Sequence, residues 1–371
     1  MKLTFVVSTG RCGSTMLSRI LHRHPDVLSV NEFFTSLRIT ALYGEARGFS
    51  YFPDGEMDGR ELWQLVGAPV PVIDTIVQGG LRTPEMRYPY GQGRFDPETG
   101  IPLLCHFVLP ALTDDPDRLF DTLAAEVPSW PRRPAARHYA TLFALLADVL
   151  GRRVIVERSG GSVYKVRQLR RAFPEARFVH MYRGGPDTAL SLSRHLPARI
   201  LAINALAAAE AKLPRRSAPE AIEAELPRFK GMVAPPYDVE RIMAYPVPLE
   251  VFGRTWSGMT CTGLIALQQL PAGMWASIRY EDLLGPALEQ ELTKLAEFIG
   301  VTAPAQWLGS ARSMVDSSRA GSARAQLDPA SLAALRAACD RGEQAIAAMA
   351  GRLSDREALS DREAPSDWEA R

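Results

Sequence analysis

Leu3-Thr4-Phe5-Val6-Val7-Ser8-Thr9-Gly10-Arg11-Cys12-Gly13-Ser14-Thr15 opens the chain with an apolar run, a glycine-bearing loop and the start of a helical pattern. Leu3 to Val7 predicts a buried strand. Met16, Leu17, Ile20 and Leu21 then fall on one face of a helix from about Ser14 to His24, closed by Pro25. A second apolar piece, Val27 to Val30, leads into Asn31-Glu32-Phe33-Phe34. Strand, glycine loop, helix and strand in that order predict an α/β fold with a central parallel sheet flanked by helices.

Further along, Arg153 to Glu157, Arg177 to Tyr182 and Met274 to Tyr280 read as strands of the same sheet. Helical patterns cover residues 137–151, Lys165 to Ala172, Glu281 to about Ile299, and Pro329 to Met349. Between them the pattern loosens. Residues 84–102 gather Pro84, Tyr88, Pro89, Tyr90, Gly91, Gly93, Pro97, Gly100 and Pro102, a length of irregular chain more typical of a lid than of a connector. Residues 214–250 are also Pro-rich. The expectation is one domain over residues 1–350, with cap segments inserted at about 44–135 and 196–255. The tail, 351–371, repeats Ser-Asp-Arg-Glu-Ala with period six from Ser354 and predicts disorder.

Composition sets outer limits. The chain has 371 residues, 46% hydrophobic and 23% charged, which suits a globular protein with an ample core. A formal net charge of +1 gives no argument for nucleic acid or an anionic membrane as partner. No stretch approaches the roughly 18 to 20 apolar residues of a membrane span. Cys12, Cys105, Cys261 and Cys339 follow no ligand spacing, so neither a metal site nor a disulfide framework is expected. A reduced, cytoplasmic setting is the expectation. Nothing in the sequence speaks to oligomeric state.

The loop at Ser8 to Thr15 carries the chemistry. Between a strand and a helix it would present backbone N–H groups, with the positive end of the helix behind them. Arg11 adds a full charge, and Ser14 and Thr15 add hydroxyls. The result is a seat for a phosphate- or sulfate-like group. A nucleoside triphosphatase needs GxxxxGK[ST], with lysine after the second glycine. Here Ser14 follows Gly13 and the cation precedes it. An ATP-using kinase with an atypical loop is therefore the weaker alternative, and a non-catalytic nucleotide-binding protein is another.

Ser8-Thr9-Gly10-Arg11-Cys12-Gly13-Ser14-Thr15 resembles the 5′-phosphosulfate loop of sulfotransferases that use 3′-phosphoadenosine 5′-phosphosulfate (PAPS). Arg183, Pro186, Asp187 and Ser191, after the Phe178 to Tyr182 run, resemble that family's 3′-phosphate motif, where Arg and Ser stand eight residues apart. Arg319-Ala320-Gly321 is similar to its Arg-Lys-Gly loop, with Ala320 in place of the second cation. Arg279-Tyr280-Glu281-Asp282-Leu283 resembles a further signature. Met16 stands where cytosolic members carry an adenine-stacking Trp, and Gly184-Gly185 replaces a tighter turn. The resemblance implies a P-loop NTPase-like sulfotransferase fold and PAPS as co-substrate, without a metal. The donor would be held by Gly10, Arg11, Cys12, Gly13, Ser14, Thr15, Arg183, Ser191, Arg319 and Gly321. It also implies transfer of a sulfuryl group to a hydroxyl or amine of a small-molecule, lipid, carbohydrate or carrier-bound acceptor, with adenosine 3′,5′-bisphosphate (PAP) left behind.

Arg11 is the candidate for stabilising charge on the leaving oxygen. Glu32 is the candidate base, since many bacterial and carbohydrate-directed members place a catalytic Glu after the second strand. Phe33 and Phe34 beside it would desolvate the carboxyl. His106 in Leu104-Cys105-His106-Phe107 is the runner-up base. Glu157 and Arg158, at a strand's end, either line the pocket or pair with neighbours. Cys12 is either a thiol activated at a helix start or a small residue tucked beside the phosphate. His22 and His24 point to different helix faces and make no metal pair. The aromatic and Pro-rich stretches 84–102 and 232–252 suit a large or amphipathic acceptor.

Overall fold

The computed structural model describes residues 2–43, 55–80, 82–214, 217–317 and 320–363, with backbone alone beyond Ala350. Five parallel strands form the central sheet: β1 (Lys2–Val7), β2 (Val27–Asn31), β5 (Val154–Arg158), β6 (Arg177–Tyr182) and β7 (Trp275–Arg279), in the order β2-β5-β1-β6-β7. β1 lies in the middle, with Phe5 level with Glu157 on one side and Phe178 on the other. Its run of apolar residues is what a parallel strand covered on both faces demands.

The pleat sorts the side chains into two cores. Leu3, Phe5, Val7, Ile155 and Phe178 face one layer of helices, which includes Ala135–Val149 and Leu249–Leu267. Val6, Val154, Val156, Val179 and Met181 face the other, built on α1 (Ser14–His22) and the helices Leu288–Ile299 and Ala305–Met314. The fold is thus α/β, with helices on both faces of the sheet. Among the described residues, no helix is long and apolar enough to cross a membrane.

Two long insertions stand off this body. The first follows α2 (Phe33–Tyr43) and contains a two-residue antiparallel pair, β3 (Glu56–Met57) with β4 (Arg133–Pro134). Within it, the described residues of 79–102 carry no helix or strand apart from a single bridge between Pro69 and Pro102; Ile101-N donates to Asp74, and Tyr88 to Asp117. The second begins at Leu196 and has a separate apolar cluster of Ile200, Ile203, Phe229, Val233 and Ile242.

Two sequence expectations need correcting. The helix predicted from Glu281 to Ile299 is broken into a 3-10 turn, Glu281–Leu284, and a helix, Leu288–Ile299. Gly285-Pro286 separates them, because a proline disfavours helical backbone in the residue before it. The final helix spans Pro329–Glu363 and does not end at Met349. Residues 354–363, predicted disordered, continue it, as Arg, Glu and Ala in the repeat are good helix formers. Residues 364–371 lie outside the described residues.

Candidate active site

β1 and β6 are neighbours, but the chain leaves them in opposite directions. From β1 it crosses through α1 to β2 at one edge, and from β6 it proceeds to β7 at the other. The carboxyl end of the sheet between them is the switch point, the crevice where open α/β sheets bind ligands. Both anion motifs read from the sequence stand there, in the segments that follow β1 and β6.

The loop after β1 is built from unusual backbone. Gly10, Arg11 and Gly13 all have positive φ, at 81°, 57° and 87°. Gly13 is the N-cap of α1, and no side chain caps that end, which leaves first-turn N–H groups for an incoming anion. A Cβ on Gly13 would fall 2.1 Å from the Tyr280 ring, so only glycine fits there. Cys12 is fully buried, and burial raises its thiol pKa although Ser8 and Ser14 bond to it. It is a packing residue at neutral pH.

The second motif converges on the first. Arg11 Nε donates to Ser191 Oγ at 3.2 Å across 180 residues of sequence. The Arg183 guanidinium lies 4.8 Å from the Tyr280 ring centroid, so Tyr280 is wedged between Gly13 and Arg183. Arg183 Nη2 also bonds Asp187 (3.1 Å) and Ser322 (3.4 Å). Asp187 accepts N–H bonds from Gly321 and Ala323, both 2.8 Å, which docks the 320–323 turn against Arg183. Gly321 is thereby brought to the site, while Arg319 lies outside the described residues. The Gly184-Gly185 turn has its own reason: a Cβ on Gly185 would meet Trp256 at 2.5 Å and Cys339 at 2.8 Å. Glu281 and Glu343 accept the N–H groups of Gly184 and Gly185.

On the other side of β1, the ends of β5 and β2 hold a buried ion pair. Glu32 and Arg158 are 5% and 3% exposed, and Arg158 Nη1 donates to Glu32 Oε1. Oε2 accepts from Gly160-N at 3.0 Å and from the Thr35 hydroxyl. Arg158 Nη2 bonds Asn31 Oδ1 at 2.9 Å, and its buried Nε has no partner among the described residues. Removing either ion would leave the other buried and unpaired, at about 3–5 kcal/mol. Glu32 also has φ 55°. Arg11, Glu32 and Lys212 are the non-glycine residues with positive φ among those described, and such strain, about 1–3 kcal/mol each, gathers at functional sites. Phe33 and Phe34 are spent on the core, edge-to-face with Tyr139 and Phe143.

Glu157 stands on the opposite face of β5 from Arg158, the face that carries Ile155. Burial pushes its carboxyl up to about 8 despite a 2.5 Å bond from Ser159, and the charge of Glu32 adds to the rise. His106 is fully buried in the first insertion, Nε2 3.1 Å from Asp74 and Nδ1 2.9 Å from the Tyr90 hydroxyl. With both nitrogens engaged, it braces the cap.

Sequence reading missed Glu343 and two further groups. Glu85, in the irregular cap segment, accepts from Thr15 Oγ1 at 3.2 Å and lies 4.0 Å from Arg11 Nη1. His195 is held down to about 4 by burial, with Arg11 adding to the effect. No spacing ties either residue to a loop 70 or more positions away.

No family model matches the chain, and the search of curated proteins found no match. Solved structures do match. The sulfotransferase domain from the curacin biosynthetic pathway is 14% identical, with 91% of this chain and 96% of that one covered and a TM-score of 0.44. The sulfotransferase domain from the Synechococcus olefin synthase is 14% identical, with coverage of 92% and 94% and a TM-score of 0.45. A sulfotransferase from Alicyclobacillus acidocaldarius is 14% identical, with coverage of 94% and 95% and a TM-score of 0.41.

Proposed function

We propose that this chain is a PAPS-dependent sulfotransferase. The observation that carries the reading is the 3.2 Å bond from Arg11 to Ser191: two anion motifs far apart in sequence meet in one crevice. A ligand with two separate phosphate ends suits that pair of seats. Arg183 and Ser191 take the 3′-phosphate. The N–H groups of the loop, with Ser14 and Thr15, take the 5′-phosphosulfate. The sulfuryl end then points toward β5 and β2, where Arg158 and Glu32 stand.

In the reaction the acceptor oxygen or nitrogen attacks sulfur, and the bond from sulfur to the bridging oxygen breaks. Its electron pair stays on the 5′-phosphate of PAP. Arg11 and the loop N–H groups stabilise that growing charge. Glu32, oriented by Gly160 and Thr35, takes the acceptor's proton. The acceptor's body is assigned to the two insertions: α2 leads away from Glu32 to Tyr43, which meets Tyr237 hydroxyl to hydroxyl at 2.9 Å beside a cavity of about 440 Å³ between the insertions. Pro71, Ile76 and Pro236 line it, which suits an apolar or amphipathic acceptor.

Thermal shift separates this reading from the kinase. A ligand at about 100 Kd that binds the native state alone adds roughly 2.7 kcal/mol of stability. PAP is expected to do so without magnesium. A rise with ATP and magnesium alone would favour the kinase. Stabilisation by PAP without turnover on any acceptor would favour a binding protein.

A further inference from the structure

Glu85 sits where an anion belongs. Its Oε1 accepts the Thr15 hydroxyl at 3.2 Å and lies 4.0 Å from Arg11 Nη1, so the cap places a carboxylate on two of the groups that define the loop's anion seat. The groups that act on it come from separate elements: Thr15 from α1 and Arg11 from the loop touch it, and Arg158 on β5 and His195, just ahead of the second insertion, act on it electrostatically. Burial opposes its ionisation, but Arg158, its own N–H and Arg11 outweigh burial and hold the carboxyl below its ordinary value. The group is therefore an anion at neutral pH. Its segment is anchored just downstream: Met86 is buried, and the Arg87 N–H bonds the carbonyl of His106, whose ring is fixed by Asp74 and Tyr90.

We propose that Glu85 is an intramolecular stand-in for the donor's anion: it occupies the seat while the site is empty and is displaced when the donor binds. The inference rests on the loop being the donor's anion seat. A phosphosulfate and the Glu85 carboxylate cannot both take the single Thr15 hydroxyl proton, and two anions side by side at Arg11 repel each other. Part of the donor's binding energy is then spent in removing Glu85, and the apparent affinity falls by the fraction of molecules in which the seat is open. Displacement frees the Glu85 side chain from Thr15 and Arg11 while Met86 and Arg87 keep the segment tied to the cap. Glu85 thereby raises the threshold for weak anions to enter the loop.

The test is the affinity of Glu85→Gln and Glu85→Ala for PAP and for inorganic pyrophosphate, by calorimetry against the unaltered chain. Glutamine keeps the size and removes the charge; alanine removes both. Both variants should bind both ligands roughly tenfold more tightly, the factor expected when a charge-assisted bond no longer has to be broken first. Unchanged or weaker pyrophosphate binding in both variants would overturn the stand-in. If pyrophosphate tightens while PAP binds neither the variants nor the unaltered chain, Glu85 keeps its role and the PAPS reading fails.

Discussion

The crevice and the cap hold their polar groups by different means. In the crevice, strand ends and positive-φ backbone fix each group: Arg11 and Glu32 sit on strained residues, and the Gly13–Tyr280 contact leaves no slack. In the cap, side chains tie irregular backbone together, as with Asp74–His106–Tyr90, Tyr88–Asp117 and Arg94–Asp121. A site that performs transfer needs donors placed before the substrate arrives, and backbone supplies that placement most rigidly. A cap that must admit varied or bulky acceptors gains from bonds that can be exchanged. Substitutions in the crevice should therefore damage chemistry, at Glu32 with a loss of stability besides because Arg158 is left unpaired, and those in the cap should damage stability with little loss of chemistry.

The sharpest way to break this contrast is to compare Glu32→Gln with His106→Ala. Glu32→Gln should lower turnover by about 10²–10⁴-fold, with PAP affinity within a few fold. His106→Ala leaves Asp74 short of a partner and should cost about 1–3 kcal/mol of stability with kcat nearly intact. Steady-state kinetics and chemical denaturation of both variants decide it. Loss of kcat in His106→Ala alone would reverse the roles.

Gly13→Ala comes next. The added methyl meets the Tyr280 ring and places a side chain at φ 87°. Overpacking of this kind costs about 1–3 kcal/mol, and because Tyr280 also supports Arg183, PAP affinity should fall with stability. A variant as stable as the parent, with normal PAP affinity, would show that the contact is slack.

A smaller effect follows from pH, through two neutral groups in the sheet. His180 is wholly buried and held down to about 4, against 6.5 when unfolded. Its contribution is present above pH 6.5 and lost as pH falls through 4, because only the unfolded state takes up the proton in that window. Glu157, pushed up to about 8 from 4.5, works the other way. Its contribution is present below pH 4.5 and lost as pH rises through 8. Denaturation curves should show stability declining from pH 6.5 to 8 by an amount on the order of 1 kcal/mol or more, and Glu157→Gln should flatten that decline. An unchanged slope in Glu157→Gln would place the titration elsewhere.

The same contrast explains what was legible in the sequence. β1, β2, β5 and β6 show as largely apolar runs, since a strand buried on both faces permits little else; β7, at the edge and buried only at Trp275 and Ile278, shows as a weaker one. The loop and the Arg183–Ser191 pair show because strand, glycine and helix signals bracket them. Glu85, His195 and Glu343 do not show: each reaches the site through tertiary folding from a segment with no period or spacing linked to it. The break at Gly285-Pro286 was present in the sequence as a helix stop, but the apolar pattern on either side masked it. Arg158 was visible as a strand-end cation, and its pairing with Glu32 became plain only when β2 and β5 were seen to be neighbours.

The central claim is that two distinct anion seats, one after β1 and one after β6, hold the two ends of a single donor. Calorimetry of Arg183→Ala with PAP and with adenosine 5′-phosphosulfate, which lacks the 3′-phosphate, tests it most directly. Loss of a charge-assisted bond worth about 1.5–3 kcal/mol should weaken PAP by roughly 10- to 150-fold and leave adenosine 5′-phosphosulfate within about twofold. Equal losses for the two ligands would contradict the claim.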